Sequence, residues 1–298
     1  MHDVGFDRAV TLTTRELVAA GMTRSQIAWA VGNGRLIRIR VGHFCLPELD
    51  LPSRQAIRVG GRLACVSELR RLGVWVTHPP EVPHVHVAAH ASRLRDPHDR
   101  RRRLDPDRRA VLHWGELREP PRPGRVSTLD AVRQASECLP LAEAVATLDS
   151  AVRLGLVRRA DVVRGTASGF GRLLDPRAES GLESLVRFEL QSLGLQVEPQ
   201  VVVAGVGRVD LMVEGAVVVE TDGREFHSGV VALRDRRRDA LVAARGLTPL
   251  RYDYAQVVFE RSDVVRAVIG AVLAHRNVRR SGRSRAIAAA RRWAAGSS

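Results

Sequence analysis

The stretch Arg208-Val-Asp-Leu-Met-Val213, then Glu214-Gly215, then Ala216-Val-Val-Val-Glu-Thr-Asp222 decides the fold class. Two runs rich in β-branched residues, each of ordinary strand length, meet at a Glu-Gly turn, which reads as an antiparallel hairpin. Upstream, a helix begins near Ser180, buries Leu182, Leu185, Val186, Leu190 and Leu193, and ends at Gly194. A strand at Gln196 to Val203 follows, closed by Gly205-Val206-Gly207. Downstream, a helix from Ala232 to Arg245 stops at Gly246, and a strand at Thr248 to Tyr252 and a helix from Ser262 to His275 complete the unit. The order α-β-β-β-α-β-α predicts a mixed α/β (α+β) domain.

The acids of this unit stand where folding alone does not put them. Side chains alternate along a strand, so Val218, Glu220 and Asp222 share one face, and the hairpin brings Asp210 beside Glu220. Carboxylates converging in an apolar sheet repel one another and lose hydration, at a cost of several kcal/mol that a divalent cation removes. Oxygen-only ligands suit Mg2+ or Mn2+ and argue against zinc.

The run Ser180-Gly-Leu-Glu-Ser184, Gly207-Arg-Val-Asp-Leu211, Val217-Val-Val-Glu-Thr-Asp-Gly-Arg-Glu-Phe-His227, Arg234-Asp-Arg-Arg-Arg-Asp-Ala-Leu241 and Gly246-Leu-Thr-Pro-Leu-Arg-Tyr252 resembles the PD-(D/E)XK restriction-endonuclease-like core. More narrowly, it is similar to the branch related to very-short-patch-repair endonucleases. The resemblance implies a metal-dependent DNA endonuclease. Asp210 and Glu220 would hold the metal, Asp222 would complete or flank the site, and Glu183 would be the helix carboxylate. The lysine usual after the second acid is absent, its position holds Asp222, and arginine is too basic to replace it. His227 therefore becomes the expected general acid or base, and Arg234 and Arg238, one helical turn apart, the expected phosphate ligands. Structural alternatives stay open: Ser180-x-x-Glu183 is also a capping box, Asp222-Gly223 a turn, and His227 a packing or capping residue. Asp235 and Asp239 among the arginines also fit a solvated salt-bridge helix.

The first segment, residues 1–50, reads as helix, short turn, helix and basic hairpin, the order of a winged helix-turn-helix. Thr13 or Thr14 caps the first helix and Thr23 opens the second, which Gly32-Asn33-Gly34 ends. Arg35 to Val41 alternates as a strand with arginines on one face. Arg24 and Gln26, with Ser25 and Trp29, would approach the major groove while Arg35, Arg38 and Arg40 contact phosphates. A protein-interaction module is the alternative. The pattern Leu12-Thr-Thr-Arg-Glu-Leu-Val-Ala-Ala-Gly-Met-Thr-Arg-Ser-Gln-Ile27 with Gly34-Arg-Leu-Ile-Arg-Ile-Arg-Val-Gly-His-Phe44 resembles the N-terminal domain of abortive-infection type IV antitoxins (AbiEi-like). That resemblance implies a DNA-binding regulator, with a cognate toxin as partner.

Residues 51–174 read as a middle α/β connecting domain that resembles the region following such antitoxin-like domains. Arg54 to Leu72 is expected to be helical, Val82 to Ala88 and Val111 to Trp114 to be strands, and Leu129 to Val163 mostly helical. Arg100 to Arg103 reads as a solvated loop. His84 and His86 share a strand face with His90 beyond, yet without a nearby Cys or carboxylate pattern they read as structural. The cysteines Cys45, Cys65 and Cys138 are far apart, odd in number and without CxxC spacing, which fits reduced core thiols better than disulfides or zinc. The nuclease-like domain is expected at 175–276, and the arginine-rich segment 277–298 reads as a flexible DNA-binding or disordered tail.

The chain of 298 residues carries 47 basic residues, every one arginine, against 33 acidic ones, a formal charge of +14. That balance points to a polyanion, DNA first, although a GC-rich genome also favours arginine over lysine. No apolar run reaches the ~20 residues of a membrane span, and the first residues lack signal-peptide order, so a cytoplasmic protein with no membrane partner is expected. A homodimer is a further expectation. The competing function is an antitoxin-like transcriptional regulator whose nuclease fold is a non-catalytic scaffold.

Overall fold

The computed structural model describes residues 11–105, 109–167, 169–222 and 229–277, with side chains of 229–236 outside the description. It is mixed helix and sheet, and it divides into two compact units, Met1–Arg172 and Leu173–Ser298.

In the first unit, β1 (Thr11–Thr13), α1 (Thr14–Ala19), α2 (Arg24–Gly32), β2 (Ile37–Arg40) and β3 (His43–Cys45) make two helices and a three-stranded sheet ordered β1-β3-β2. The expected caps form: Thr13 accepts from the Glu16 amide and Thr23 from the Gln26 amide, each answered by the Glu or Gln side chain. Leu17, Ile27, Ala30, Leu36 and Phe44 pack between helices and sheet. β1, before the first helix, was not expected.

The chain continues as α3 (Leu51–Val59), β4 (Arg62–Leu63), α4 (Cys65–Arg71), β5 (His84–Val87), β6 (Val111–Trp114), α5 (Thr128–Cys138), α6 (Leu141–Arg153), α7 (Arg159–Gly165) and α8 (Phe170–Leu173). The sheet is ordered β4-β5-β6, with β4 antiparallel and β6 parallel to β5. The single helix expected over Arg54 to Leu72 is two, because Gly60 caps α3 at φ 117° and Gly61 passes against β5. A Cβ on Gly61 would lie 2.2 Å from the His86 carbonyl oxygen, so only glycine permits that approach. Ile39 and Cys45 of the first sheet share one core with Leu49 and Ile57, carrying packing across the boundary expected at residue 50. Segments 1–50 and 51–172 therefore belong to one unit.

The cysteines differ from the expected core thiols. Cys45 and Cys65 are buried, but Cys138 is exposed at the end of α5.

The second unit contains α9 (Gly181–Ser192), β7 (Val197–Val203), β8 (Gly207–Val213), β9 (Val217–Asp222), α10 (Gly229–Ala244), β10 (Thr248–Asp253), α11 (Tyr254–Phe259) and α12 (residues 261–277). The sheet is ordered β10-β9-β8-β7: β7, β8 and β9 form an antiparallel meander, and β10 joins β9 in parallel after α10. A parallel neighbour needs a crossover, which α10 supplies. Val209, Val218 and Val242 form a buried cluster joining the sheet to α10, and α9 lies against β7, β8 and β9. The short α11, capped by Asp253, was not anticipated.

Candidate active site

The acids of the second unit gather around a break in the sheet. The β7–β8 ladder passes from Pro199↔Leu211 to Val201↔Val209, leaving out Gln200 and Asp210. The β8–β9 ladder ends at Leu211↔Val219, one residue short of Asp210 and Glu220. Gln200 takes the left-handed region at φ 58°. Such irregularities re-aim side chains that a regular ladder would fix. Asp210 Oδ2 accepts the Thr221 backbone N–H at 2.9 Å, tying β8 to β9 across the gap.

Glu183 approaches from α9. Its amide donates to Ser180 Oγ at 3.1 Å, half of the expected capping box, but its carboxylate turns elsewhere. Glu183 Oε2 accepts from Gln200 Nε2 at 2.7 Å and from the Glu179 amide at 3.0 Å, in a side chain only 3% exposed. Glu183 thus serves the helix start and reaches the acid cluster. Gln200, which the sequence did not single out, holds it there.

The electrostatics make Asp210 the hub. Burial, then the Asp210 charge, raises the Glu183 carboxyl above its ordinary value. Burial raises Asp210 as well and the Asp222 charge adds to it, opposed by the Thr221 N–H, Arg238 and Arg251. Glu220 is raised by burial and by Asp210, and lowered by Arg238 and Arg251. Carboxyls pushed up by desolvation and mutual repulsion mark a place where negative charge is poorly compensated. Among the described residues, no three of these acids bring one carboxylate oxygen each within 4.8 Å of one another. Asp210 and Glu220, on adjacent strands, are the pair on which Arg238 and Arg251 both act, with Glu183 and Asp222 each coupled to Asp210.

Two arginines face this pair. Arg238 of α10 donates to Glu220 Oε1 at 3.0 Å and also to the Arg208 carbonyl. Arg251 stands opposite Glu220 in the parallel register and bonds Asp239 at 3.1 Å. Asp239 is thus paired with a strand arginine rather than with the arginines of its own helix. His227, the Asp222-Gly223 turn beyond Asp222, and the 278–298 tail lie outside the described residues, as do the side chains of Arg234 and Asp235.

In the first unit, Arg24 and Gln26 are exposed on α2, but Gln26 Oε1 accepts from the Thr23 backbone N–H at 2.8 Å and from the Thr23 hydroxyl at 3.1 Å. Gln26 is a capping residue in this arrangement. Arg35 lies over the exposed Trp29 ring at 5.0 Å, a cation–π pair on the surface. Arg38 is exposed. The expected single arginine face does not form: Arg35 precedes β2 and, three residues from Arg38, falls on the other face of a regular strand, and the β2–β3 register shifts between Arg38 and Arg40. Arg40 is half-buried and its guanidinium occupies the space over Gly60, where a Cβ would lie 2.3 Å from Nη1. Burial, then the neighbouring Arg95 charge, lowers its pKa, while its guanidinium fills the space over Gly60. Arg24, Arg35 and Arg38 remain as the outward cations of the expected set.

No protein-family model and no curated protein matches this chain, so the acid pair and its flanking arginines are what speak for its chemistry.

Proposed function

We propose that the chain is a metal-dependent DNA endonuclease whose hydrolytic site is built on Asp210 and Glu220. The observation that carries this reading is the pair itself: two acids on adjacent strands, at a gap in both ladders, each raised by burial and Glu220 further by Asp210. The donor set suits Mg2+, which keeps several waters and takes one or two carboxylates, and Mn2+ equally. A bound ion would supply Lewis-acid stabilisation of the phosphoryl oxygen and a nucleophilic water. Asp210 and Glu220 would hold it, while Glu183 and Asp222 add negative potential. Arg238 balances Glu220, and once a cation does so, its guanidinium is available to a phosphate oxygen. The α-β-β-β-α-β order with its mixed sheet supports the likeness to the PD-(D/E)XK core. His227 is the proposed proton-transfer residue. In the first unit, the α1–α2 pair with its three-stranded sheet supports a winged helix-turn-helix that grips duplex DNA through Arg24, Arg35 and Arg38.

The test is cleavage of supercoiled, nicked, mismatched, branched and single-stranded DNA by the full chain with Mg2+ or Mn2+. Asp210→Ala and Glu220→Ala are expected to lower the rate about a hundredfold or more. Absence of cleavage on every substrate, with no Mg2+ or Mn2+ binding that depends on Asp210 and Glu220, defeats the reading.

The existing Arg238–Glu220 pair favours a second reading, in which an already neutralised site is the scaffold of an antitoxin-like regulator. That reading expects promoter-specific binding weakened by Arg24→Ala and indifferent to Asp210→Ala.

A further inference from the structure

Four potential metal ligands from distant parts of the chain meet in the first unit: Cys65, His84, His113 and Cys138, whose ligand atoms all lie within 4.8 Å of one another. We propose that they form a closed, four-coordinate transition-metal site whose ion is structural Zn2+.

The argument begins with the elements. His84 and His86 alternate to one face of β5, and the parallel register His86↔His113 puts His113 of β6 on that face. Cys65 opens α4 and Cys138 closes α5, so both sulfurs sit at helix ends beside the strands. The sheet and two helices therefore each contribute, and no short sequence motif could have announced the set.

The distances fit the ion. Zn–N bonds of about 2.0–2.1 Å in a tetrahedron separate two nitrogens by about 3.3 Å, and a Zn–S bond of about 2.3 Å places sulfur about 3.6 Å from nitrogen. His84 Nδ1 and His113 Nε2 lie 3.3 Å apart, and Cys138 Sγ lies 3.8 Å from His84 Nδ1. Two sulfurs and two imidazole nitrogens are the donors that select zinc over Mg2+ or Ca2+. Four protein ligands leave no open position, which marks a structural site.

The surroundings hold the ligands in place. Cys65 takes the left-handed region at φ 50°, a strained conformation that persists where neighbours over-determine it. Its amide donates to Gln134 Oε1 at 3.1 Å, and the preceding Ala64 amide donates to the His84 carbonyl at 3.0 Å. Gln134 stands one helical turn before Cys138 and also meets His86 Nδ1 at 3.1 Å. The His84 amide donates to Ser67 Oγ at 3.0 Å. His86 is therefore a positioning neighbour, while His84 turns its Nδ1 to the cluster. Binding sends the thiol protons of Cys65 and Cys138 to solvent and takes both imidazoles neutral. The ion would clamp α4, β5, β6 and α5.

The experiment uses the full chain. Elemental analysis of purified protein is expected to find about one zinc per chain, and replacement by Co2+ to give tetrahedral d–d bands with a thiolate-to-cobalt charge-transfer band. Cys138→Ser, changed at an exposed helix end, is expected to lose the charge-transfer intensity of one thiolate and to bind zinc at least about tenfold more weakly. Cys45→Ala is expected to keep both. Wild-type protein that is folded, reduced and exposed to Zn2+ yet holds none, or whose Co2+ form lacks the thiolate band, overturns the site. So does a Cys65–Cys138 disulfide in protein purified under reducing conditions, or a folded Cys138→Ser that binds zinc as wild type does. Should Cys138→Ser fail to fold, the wild-type cobalt spectrum decides alone.

Discussion

At the scale of single residues, Asp210 carries the most consequence. The carboxyls of Glu183, Asp210 and Glu220 are raised in the fold, so the protonated forms are the ones folding favours. The stability they contribute is complete below the ordinary carboxylate pKa of about 4 and is lost as pH rises through their raised folded values. Asp210→Asn removes one charge from the cluster while its amide oxygen still accepts the Thr221 N–H. Metal-free Asp210→Asn is therefore expected to melt higher than wild type at pH ~7 and equally at pH ~4, and to lack the Mg2+-induced rise in Tm that the proposed site predicts for wild type. Melting curves over that range with and without Mg2+ check this, and a lower Tm for Asp210→Asn at neutral pH contradicts it. The acids were legible because a charge in a valine-rich strand has no cheap folding explanation. Gln200 was not, because an amide in a strand carries no such signal and its left-handed backbone shows only in three dimensions.

At the scale of elements, caps and ladders decide which side chains are available. Thr23 and Gln26 close a reciprocal box at the start of α2, so Gln26 is committed to its own helix. Gln26→Ala is expected to cost about 0.5–1 kcal/mol of stability while leaving DNA sequence preference unchanged. Arg24→Ala is expected to weaken DNA binding without lowering Tm. Denaturation paired with fluorescence anisotropy on duplex DNA separates these outcomes, and a changed sequence preference in Gln26→Ala returns that residue to the groove. The alternation from Arg35 to Val41 announced a strand, and β2 forms within it, but the shift between Arg38 and Arg40 turned the second arginine toward Gly60. Alternation reveals that a strand exists, whereas a bulge decides where its side chains go.

At the scale of the whole molecule, a charge of +14 carried by arginine sets the expected response to salt. If duplex DNA is the partner, log affinity falls linearly with log salt, and deleting one phosphate contact flattens the slope by about 0.9. Arg38→Ala is expected to do so and Arg40→Ala is not, because Arg40 is spent on packing. Titrations at several salt concentrations read the difference, and equal slopes for both variants remove Arg38 from the interface. The described helices include none long and apolar enough to cross a membrane.

The sequence by itself determined the elements of the second unit other than α11, because periodicity, glycine stops and helix caps act over a few residues. It also determined that Asp210 and Glu220 would be neighbours, since one tight turn joins their strands. Tertiary structure decided what depends on contacts between distant residues: the shared core that carries the first segment into the second, the Gln200 hold on Glu183, and the Arg238 guanidinium on Glu220. It decided the Cys65, His84, His113 and Cys138 cluster most completely. Those four are separated by long intervals with no repeating spacing, and only the packing of two strands against two helix ends brings their donor atoms within reach of one ion.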